Sequence, residues 1–218
     1  MTTSGPARRR PGRPPKSEAG DTKAVLVEAA LRLFAQKGFA GTSIRAIARE
    51  VGLSESVLYA HFDSKRAIFE AALARLGPQR VAAVLDDLDP ALGDDDPPAF
   101  VRELVRRSLD AWDTPDGRLL MSLMVRDGLA HDPELVATLD ETMGRVGAVF
   151  ERWIRAGTMP ADLGEPTDLA YALIAPIAQA RLLWLHAGAT DEQRATARDR
   201  ATRHTEVFIR AVFRDHGS

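Results

Sequence analysis

Residues 42–62 read TSIRAIAREVGLSESVLYAHF, and this stretch decides the fold. Apolar residues recur at helical spacing on both sides of Gly52, which predicts two short helices. Gly52 can adopt the left-handed conformation that a tight turn between helices requires. The predicted inner face of the pair consists of Ile47, Ala48, Val51, Leu53, Val57 and Leu58. The pattern therefore predicts a helix-turn-helix, which is a DNA-binding unit.

The outer face of the second helix is polar and carries Ser54, Glu55, Ser56, Tyr59 and His61. A recognition helix contacts bases mainly through its N-terminal residues. Ser54 is an N-cap, a base contact or both, and Glu55 either accepts from cytosine N4 or favours the helix N-terminus. His61 either packs or contacts DNA. Thr42 is expected to cap the first helix of the pair, and Lys65 adds a cation at the start of the next helix.

The rest of the chain is also expected to be helical, with no convincing strand alternation. A first helix is predicted from Asp21 or Thr22 to Gly38, and one after Ser64 that either stops near Leu76 or continues past Pro78 after a kink. The acidic, proline-broken segment 86–98 predicts a loop. Further helices are predicted at about 98–112, 118–130, 133–156, 167–187 and 191–214. The fold class is therefore all-α, with a helix-turn-helix domain at 21–80 and a larger helical domain at 81–218.

Composition excludes several kinds of protein. The 218 residues include no cysteine, so disulfides and thiolate chemistry are excluded. The five histidines lack paired spacing, and no phosphate-binding loop or nucleophile motif occurs, so we predict no metal, no cofactor and no enzymatic activity. The first residues lack an apolar signal region, and no run is long enough to span a membrane. We expect a cytoplasmic protein without a membrane partner.

Charge is distributed unevenly along the chain. Residues 1–80 hold 14 basic and 7 acidic side chains, whereas the remaining residues hold 15 and 24. The first part suits a polyanion, and the second would be repelled by one. The acidic excess is mostly solvated surface and hints only weakly at a cationic ligand.

Residues 34–65, FAQKGFAGTSIRAIAREVGLSESVLYAHFDSK, resemble the DNA-binding signature of the TetR/AcrR family. The resemblance spans about residues 22–76. It implies phosphate contacts by Thr42, Tyr59 and Lys65. It also implies that the side chains in or beside the major groove are Arg45, Ser54, Glu55, Ser56 and His61. Ser43 is a further predicted DNA contact. Phe62 would be buried, and Gly38 would close the first helix.

Residues 1–20 predict a disordered basic arm that is rich in proline, glycine and arginine. The Gly-Arg-Pro core at 12–14 resembles an AT-hook, in which arginine enters a narrow A·T minor groove. Arg10 and Arg13 are the candidate contacts, although Pro11 replaces the arginine of a stronger motif. The alternative is a solubilising tail.

For the C-terminal domain, the resemblance implies effector binding and a homodimer formed through the last two helices. The alternative is that these helices only cover the monomer core. Candidate effector contacts are Trp112, Met121, Met124, Phe150, Trp153, Gln179, Trp184 and His186, with Tyr171, Arg126 and Arg181 also considered. The expected function is a repressor that a small molecule releases from a palindromic operator in double-stranded DNA. The alternative is a ligand-independent regulator that responds to a protein partner.

Overall fold

The computed structural model describes residues 16–213, and the elements in this range are α-helices and two short 3₁₀ turns, with no strand. The first four helices are α1 (Lys16–Gly41), α2 (Ile44–Glu50), α3 (Glu55–Tyr59) and α4 (Lys65–Leu76). The later helices are α5 (Gln79–Asp86), α6 (Pro90–Asp95), α7 (Pro97–Trp112), α8 (Pro115–Arg126), α9 (Pro133–Arg155), α10 (Pro166–Trp184) and α11 (Asp191–Val212). The predicted all-α class is confirmed.

The predicted limits of the first helices need two corrections. Helix α1 begins at Lys16, before the predicted start at Asp21 or Thr22. Gly38 does interrupt this helix, with a φ of 81° that favours glycine. Helix α2 is capped by Ser43 and not by Thr42, because the Ser43 Oγ accepts a hydrogen bond from the Ala46 amide at 3.1 Å.

The prediction of a loop at 86–98 is wrong, because this segment contains helix α6 and the start of α7. Its acidic residues act as caps. Asp89 accepts a hydrogen bond from the Ala91 amide at 2.9 Å, and Asp96 accepts one from Ala99 at 2.9 Å. Each cap is followed by a proline, whose fixed φ and missing N–H suit the first helical position.

Around Pro78, the chain follows the first of the two predicted arrangements, in which the helix stops near Leu76. Helix α4 ends at Leu76, and Gly77 adopts an extended conformation, with φ −87° and ψ −152°. The chain then begins a separate helix, α5, so α4 does not continue past Pro78. Pro176, in contrast, lies inside α10 without ending it.

The buried side chains form two cores. The first core is built from α1–α4 and contains large buried residues such as Phe34, Ile47, Leu58 and Phe69. The second is built from α5, α7 and α9–α11. Helix α8 lies between them and places Leu120, Leu123 and Met124 in the first core. The helix-turn-helix therefore packs directly on a helix from the C-terminal part of the chain.

Candidate DNA-binding surface and effector cavity

The turn between α2 and α3 has the geometry that the sequence predicts. Gly52 has a φ of 70°, and the Leu53 amide donates to the Ala48 carbonyl at 2.9 Å. Ile47, Ala48 and Leu58 are at most 1% exposed, so they fix the two helices against α1. Val57 was expected on the same inner face, but it is 38% exposed and does not belong to the core. Val51 and Leu53 are half-buried.

The predicted recognition residues share one exposed surface on α3. Ser54 caps this helix by accepting from the Val57 amide at 3.4 Å, and its Oγ lies 2.8 Å from that of Ser56. Tyr59 is 51% exposed, which leaves its hydroxyl accessible to a DNA backbone. The outer face is therefore polar and accessible, as a recognition helix requires.

An ion pair joins the outer faces of α2 and α3. The Arg45 Nε lies 3.6 Å from the Glu55 carboxylate, and the two side chains are 83% and 49% exposed. Such an exposed pair contributes little stability, so Arg45 can exchange this carboxylate for a DNA phosphate or base at small cost. Glu55 thus has a partner within the protein when DNA is absent.

Two residues expected to contact phosphate have structural roles here. Thr42 is only 3% exposed, and its hydroxyl donates to the Gly38 carbonyl at 2.9 Å. The Lys65 ammonium donates to the carbonyls of Phe39 at 2.6 Å, Thr42 at 2.8 Å and Ala40 at 3.4 Å. It also lies 4.6 Å from the centre of the Phe39 ring. Because an ammonium has three protons, these carbonyls use the donors that Lys65 was expected to offer to phosphate.

The remaining predicted DNA contacts have mixed surroundings. Ser43 is exposed and holds the N-terminus of α2, a position whose free amides suit phosphate. His61 is half-buried beside Phe62, which is buried as predicted. Arg10 and Arg13 lie outside the described residues, as does most of the predicted basic arm.

A mostly apolar cavity of about 180 Å³ lies among α5, α7, α8, α9 and α10. Three of the predicted effector residues line it, namely Trp112, Met121 and Met124. Arg181 lines it as well. The residues that sequence reasoning missed are Gly77, Pro78, Val81, Leu135, Val136, Leu139, Thr142, Met143, Ile174 and Ala178. Half of these are on α9, whose apolar side chains gave no signal to separate cavity wall from filled core.

The other predicted effector residues lie elsewhere. Phe150 and Trp153 pack in the second core, with ring centres 5.5 Å apart, and the Trp153 Nε1 donates to the Gly93 carbonyl at 2.7 Å. Gln179 and Trp184 line a shallow groove on the outer face of α10 and α11. His186 follows the end of α10 and is not among the cavity-lining residues. The prediction grouped these residues because all are large or amphipathic, but the fold separates them.

The other two polar candidates make contacts outside the cavity. The Tyr171 hydroxyl donates to Asp140, and this carboxylate raises the pKa of the phenol. Arg126 donates to the carbonyls of Phe34 and Ala35 near the end of α1.

Two polar contacts join the helix-turn-helix to the walls of the cavity. At the end of α8, the Asp127 carboxylate accepts from the Phe39 amide at 2.5 Å and from the Arg126 Nε at 2.8 Å. The hydrogen bond from Arg126 chiefly lowers the pKa of Asp127, and the Phe39 amide adds to this effect. At the start of α9, the Asp132 carboxylate lies 2.6 Å from the Arg66 guanidinium on α4. The ends of α8 and α9 therefore hold α1 and α4.

One face of α10 and α11 exposes large apolar side chains. Leu182, Leu183 and Val207 are 46%, 50% and 55% exposed. The opposite faces of the same helices supply Leu173, Ile177 and other residues to the second core. Helix α10 is thus apolar on more than one side, and within residues 16–213 only the side that faces the second core is covered.

Neither a metal centre nor a membrane span is found within residues 16–213. No group of histidine and acidic residues there has the arrangement needed to hold a metal ion. None of the helices in this range is long and apolar enough to cross a membrane.

The fold and the outer face of α3 are those of a helix-turn-helix DNA-binding protein in which further helices form a second core. Residues 26–72 match the family model for bacterial regulatory proteins of the tetR family. The HTH-type transcriptional regulator AcrR of Shigella flexneri is 26% identical over 155 residues, covering 68% of this chain and 71% of that protein.

Solved structures agree on the whole fold. SmeT, the repressor of the Stenotrophomonas maltophilia multidrug efflux pump SmeDEF, has a TM-score of 0.63 at 18% identity, covering 91% of this chain and 94% of that one. The flavonoid-responsive regulator FrrA has a TM-score of 0.61 at 20% identity, covering 90% and 99%. Residues 26–72 are thus similar to the DNA-binding region of TetR-family regulators, and the chain shares its fold with solved transcriptional regulators.

Proposed function

We propose that this chain is a dimeric repressor that binds a dyad-symmetric operator and is released when a small molecule enters the cavity. The observation that carries this proposal is that α8 and α9 both line the cavity and contact the helix-turn-helix. Their middle parts line the cavity through residues such as Met121 and Leu139, and their ends hold the helix-turn-helix through Asp127 and Asp132. A ligand that displaces either helix therefore also displaces α1 or α4.

The exposed apolar face of α10 and α11 supports the dimer. Leu183 and Val207 are about half exposed on neighbouring helices, and an exposed apolar patch is a typical protein interface. A two-fold dimer would place two copies of α3 in successive major grooves, roughly 34–36 Å apart or at a related spacing. The ligand must bind more tightly to the DNA-incompetent arrangement, because equal affinity for both shifts no population.

The first experiment is a footprint of the full chain on the DNA that flanks its own gene, at two salt concentrations. A protected, dyad-symmetric site that weakens steeply with salt is expected. Protection nowhere in this DNA would contradict regulation of the neighbouring genes. The same site then serves for anisotropy titrations with candidate ligands. If no ligand releases the DNA, regulation by a protein partner becomes the better proposal.

The dimer is tested separately by sedimentation of Val207→Glu. A buried carboxylate opposes association, so this variant should be monomeric and should bind the operator more weakly. Val25→Glu is the matched control, because Val25 is 45% exposed but lies on α1. A dimer that persists in Val207→Glu would exclude this face as the interface.

A further inference from the structure

The cavity wall contains one charged side chain among the described residues, Arg181 on α10, and every other lining residue is uncharged. We propose that the effector is a small apolar molecule with a single carboxylate, which pairs with Arg181. This inference rests on the proposed function and adds the chemical class of the ligand. The acidic excess of the domain had hinted at a cation, but the cavity itself carries the opposite charge.

Arg181 is buried without a counterion. The residue is 5% exposed, its Nη2 donates to the Leu76 carbonyl at 3.0 Å, and its guanidinium lies 4.8 Å from the centre of the Trp112 ring. Its Nε has no hydrogen-bond partner. No carboxylate within residues 16–213 forms a salt bridge with it, whereas buried Asp113 contacts three arginines. A buried charge ordinarily requires a partner of opposite sign.

Burial also affects the titration of this group, without removing its charge. Desolvation lowers the pKa of Arg181 to about 10, so the guanidinium still carries its proton at neutral pH. The cavity therefore holds a positive charge under physiological conditions. An anionic ligand would be stabilised there, and a cationic ligand would be repelled.

A second donor in the cavity wall points to the same ligand. Trp112 is 3% exposed, and its Nε1 has no hydrogen-bond partner. An indole N–H and a guanidinium can only donate, so both require acceptor atoms. A carboxylate supplies two oxygens with several acceptor positions. A neutral amide offers one oxygen, and an ammonium offers none.

The size and lining of the cavity limit the rest of the molecule. A cavity of about 150 Å³ holds benzene, so 180 Å³ admits one ring or a short alkyl chain with its acidic group. Met121, Met124, Val136 and Ile174 offer apolar contacts to that part, and methionine adapts to irregular shapes. A wider cleft of about 720 Å³ between α5 and α7 is polar and contains both signs of charge, including Arg80 and Asp110. It therefore offers no comparable preference for an anion.

The test compares three probes that share one ring and differ in charge, namely benzoate, benzamide and benzylamine. Binding to the full chain without DNA is measured by calorimetry and by tryptophan fluorescence, since Trp112 lines the cavity. Benzoate should bind at least about 10-fold more tightly than benzamide, because a charge-assisted pair is stronger than a neutral one. Benzylamine should not bind. Hexanoate, an acid without a ring, should bind as well.

Arg181→Met is the informative variant, because a buried charge replaced by an apolar side chain of similar length is often tolerated. This change should reduce benzoate affinity to that of benzamide and leave benzamide unchanged. Arg181→Lys should retain part of the preference for benzoate over benzamide. Arg80→Met is the matched control, since Arg80 is exposed on the outer cleft, and it should leave benzoate binding intact.

Three results would overturn the inference: equal affinity for the three probes, no binding of any probe, or an anion preference that persists in Arg181→Met. Failure of the proposed function looks different. If benzoate binds through Arg181 but does not release operator DNA, the ligand class stands and the release mechanism fails. If a neutral compound occupies the cavity and releases the DNA, release stands and the anionic class fails.

Discussion

Replacing Asp113 with alanine probes how the C-terminal domain is held together. This carboxylate lies between α7 and α8 and is 1% exposed. It accepts from Arg118 of α8 at 2.6 Å, from Arg194 of α11 at 2.8 Å and from Arg198 of α11 at 3.1 Å. One buried acid therefore joins the start of α8 to α11.

The size of the effect depends on what the arginines do after the acid is removed. Removing one partner of a buried ion pair typically costs about 3–5 kcal/mol. Arg194 and Arg198 are 34% and 40% exposed and keep Asp191 and Asp110 as partners, so they can return to water. We therefore expect Asp113→Ala to lower the free energy of unfolding by about 2–3 kcal/mol. Asp113→Asn keeps an acceptor oxygen and should cost about 1–2 kcal/mol.

The measurement is urea unfolding of the full chain at pH 7 and one protomer concentration, because dimer stability depends on concentration. The control is Glu206→Ala, which breaks the pair between Arg102 of α7 and Glu206 of α11. This pair joins nearly the same helices, but its side chains are 48% and 33% exposed, so its loss should cost less than about 1 kcal/mol. Equal losses of unfolding free energy in the two alanine variants, or a loss below about 0.5 kcal/mol in Asp113→Ala, would refute this role of Asp113.

The pH dependence provides an independent check on Asp113. Burial raises the pKa of this carboxyl, but the hydrogen bonds from Arg194, Arg118 and Arg198 outweigh burial, so the net direction is down. A lowered pKa in the folded state contributes stability above the unfolded value, about 3.9, and this stability is lost as the pH falls through the folded pKa. The difference between wild type and Asp113→Ala should therefore persist from pH 7 to about pH 5 and shrink below about pH 4. A difference that grows on acidification would contradict the assignment.

Three further predictions concern the DNA-binding part of the chain. Lys65→Met should lower the free energy of unfolding by about 1–3 kcal/mol, because three carbonyls lose a charged donor. The salt dependence of DNA binding should stay unchanged. A salt slope reduced by about 1 with unchanged stability would instead indicate a phosphate contact. Gly52→Ala should destabilise by about 1–2 kcal/mol in thermal unfolding, since its φ of 70° disfavours a side chain while its Cβ would meet no atom within 4 Å; wild-type stability would rule out this backbone effect. Deleting residues 1–15, which precede α1, should flatten the salt slope of operator binding through the loss of Arg10, Arg13 and neighbouring charges, whereas an unchanged slope would leave the arm as a solubilising tail.

The helix-turn-helix was predictable because its information is local. The glycine in the turn, the cap at Ser54 and the apolar spacing of Ile47 and Leu58 all lie within a few residues of one another. The local roles of Thr42 and Lys65 were not predictable in the same way. Their side chains meet carbonyls at the end of α1, and sequence spacing does not show which carbonyls remain unpaired there.

A second local signal in the sequence marks the starts of four helices. Asp89, Asp96, Thr114 and Asp132 each precede a proline, and each caps the helix that this proline begins. This cap–proline pair would have placed the start of α8 correctly and turned the predicted loop at 86–98 into helices.

The cavity was only partly predictable, for a different physical reason. Trp112 and Trp153 are equally large and equally buried, yet one lines the cavity and the other packs against Phe150. Helical periodicity shows that both face inward, but it does not show where neighbouring helices leave space between them. That information depends on how α8, α9 and α10 cross.

Helix α8 is anchored to other helices at both ends, and its middle part faces the cavity. Arg118 near its start is held by Asp113, Arg126 at its end is tied to α1, and Met121 and Met124 face the cavity between them. Its 12 residues span about 18 Å, so a tilt of about 5° about one end moves the other end by roughly 1.6 Å. That displacement would stretch the 2.5 Å bond between Asp127 and the Phe39 amide beyond hydrogen-bonding distance. A ligand-driven tilt of this size would break the polar link between α8 and the Phe39 amide, while Leu120 and Leu123 would keep α8 packed in the first core.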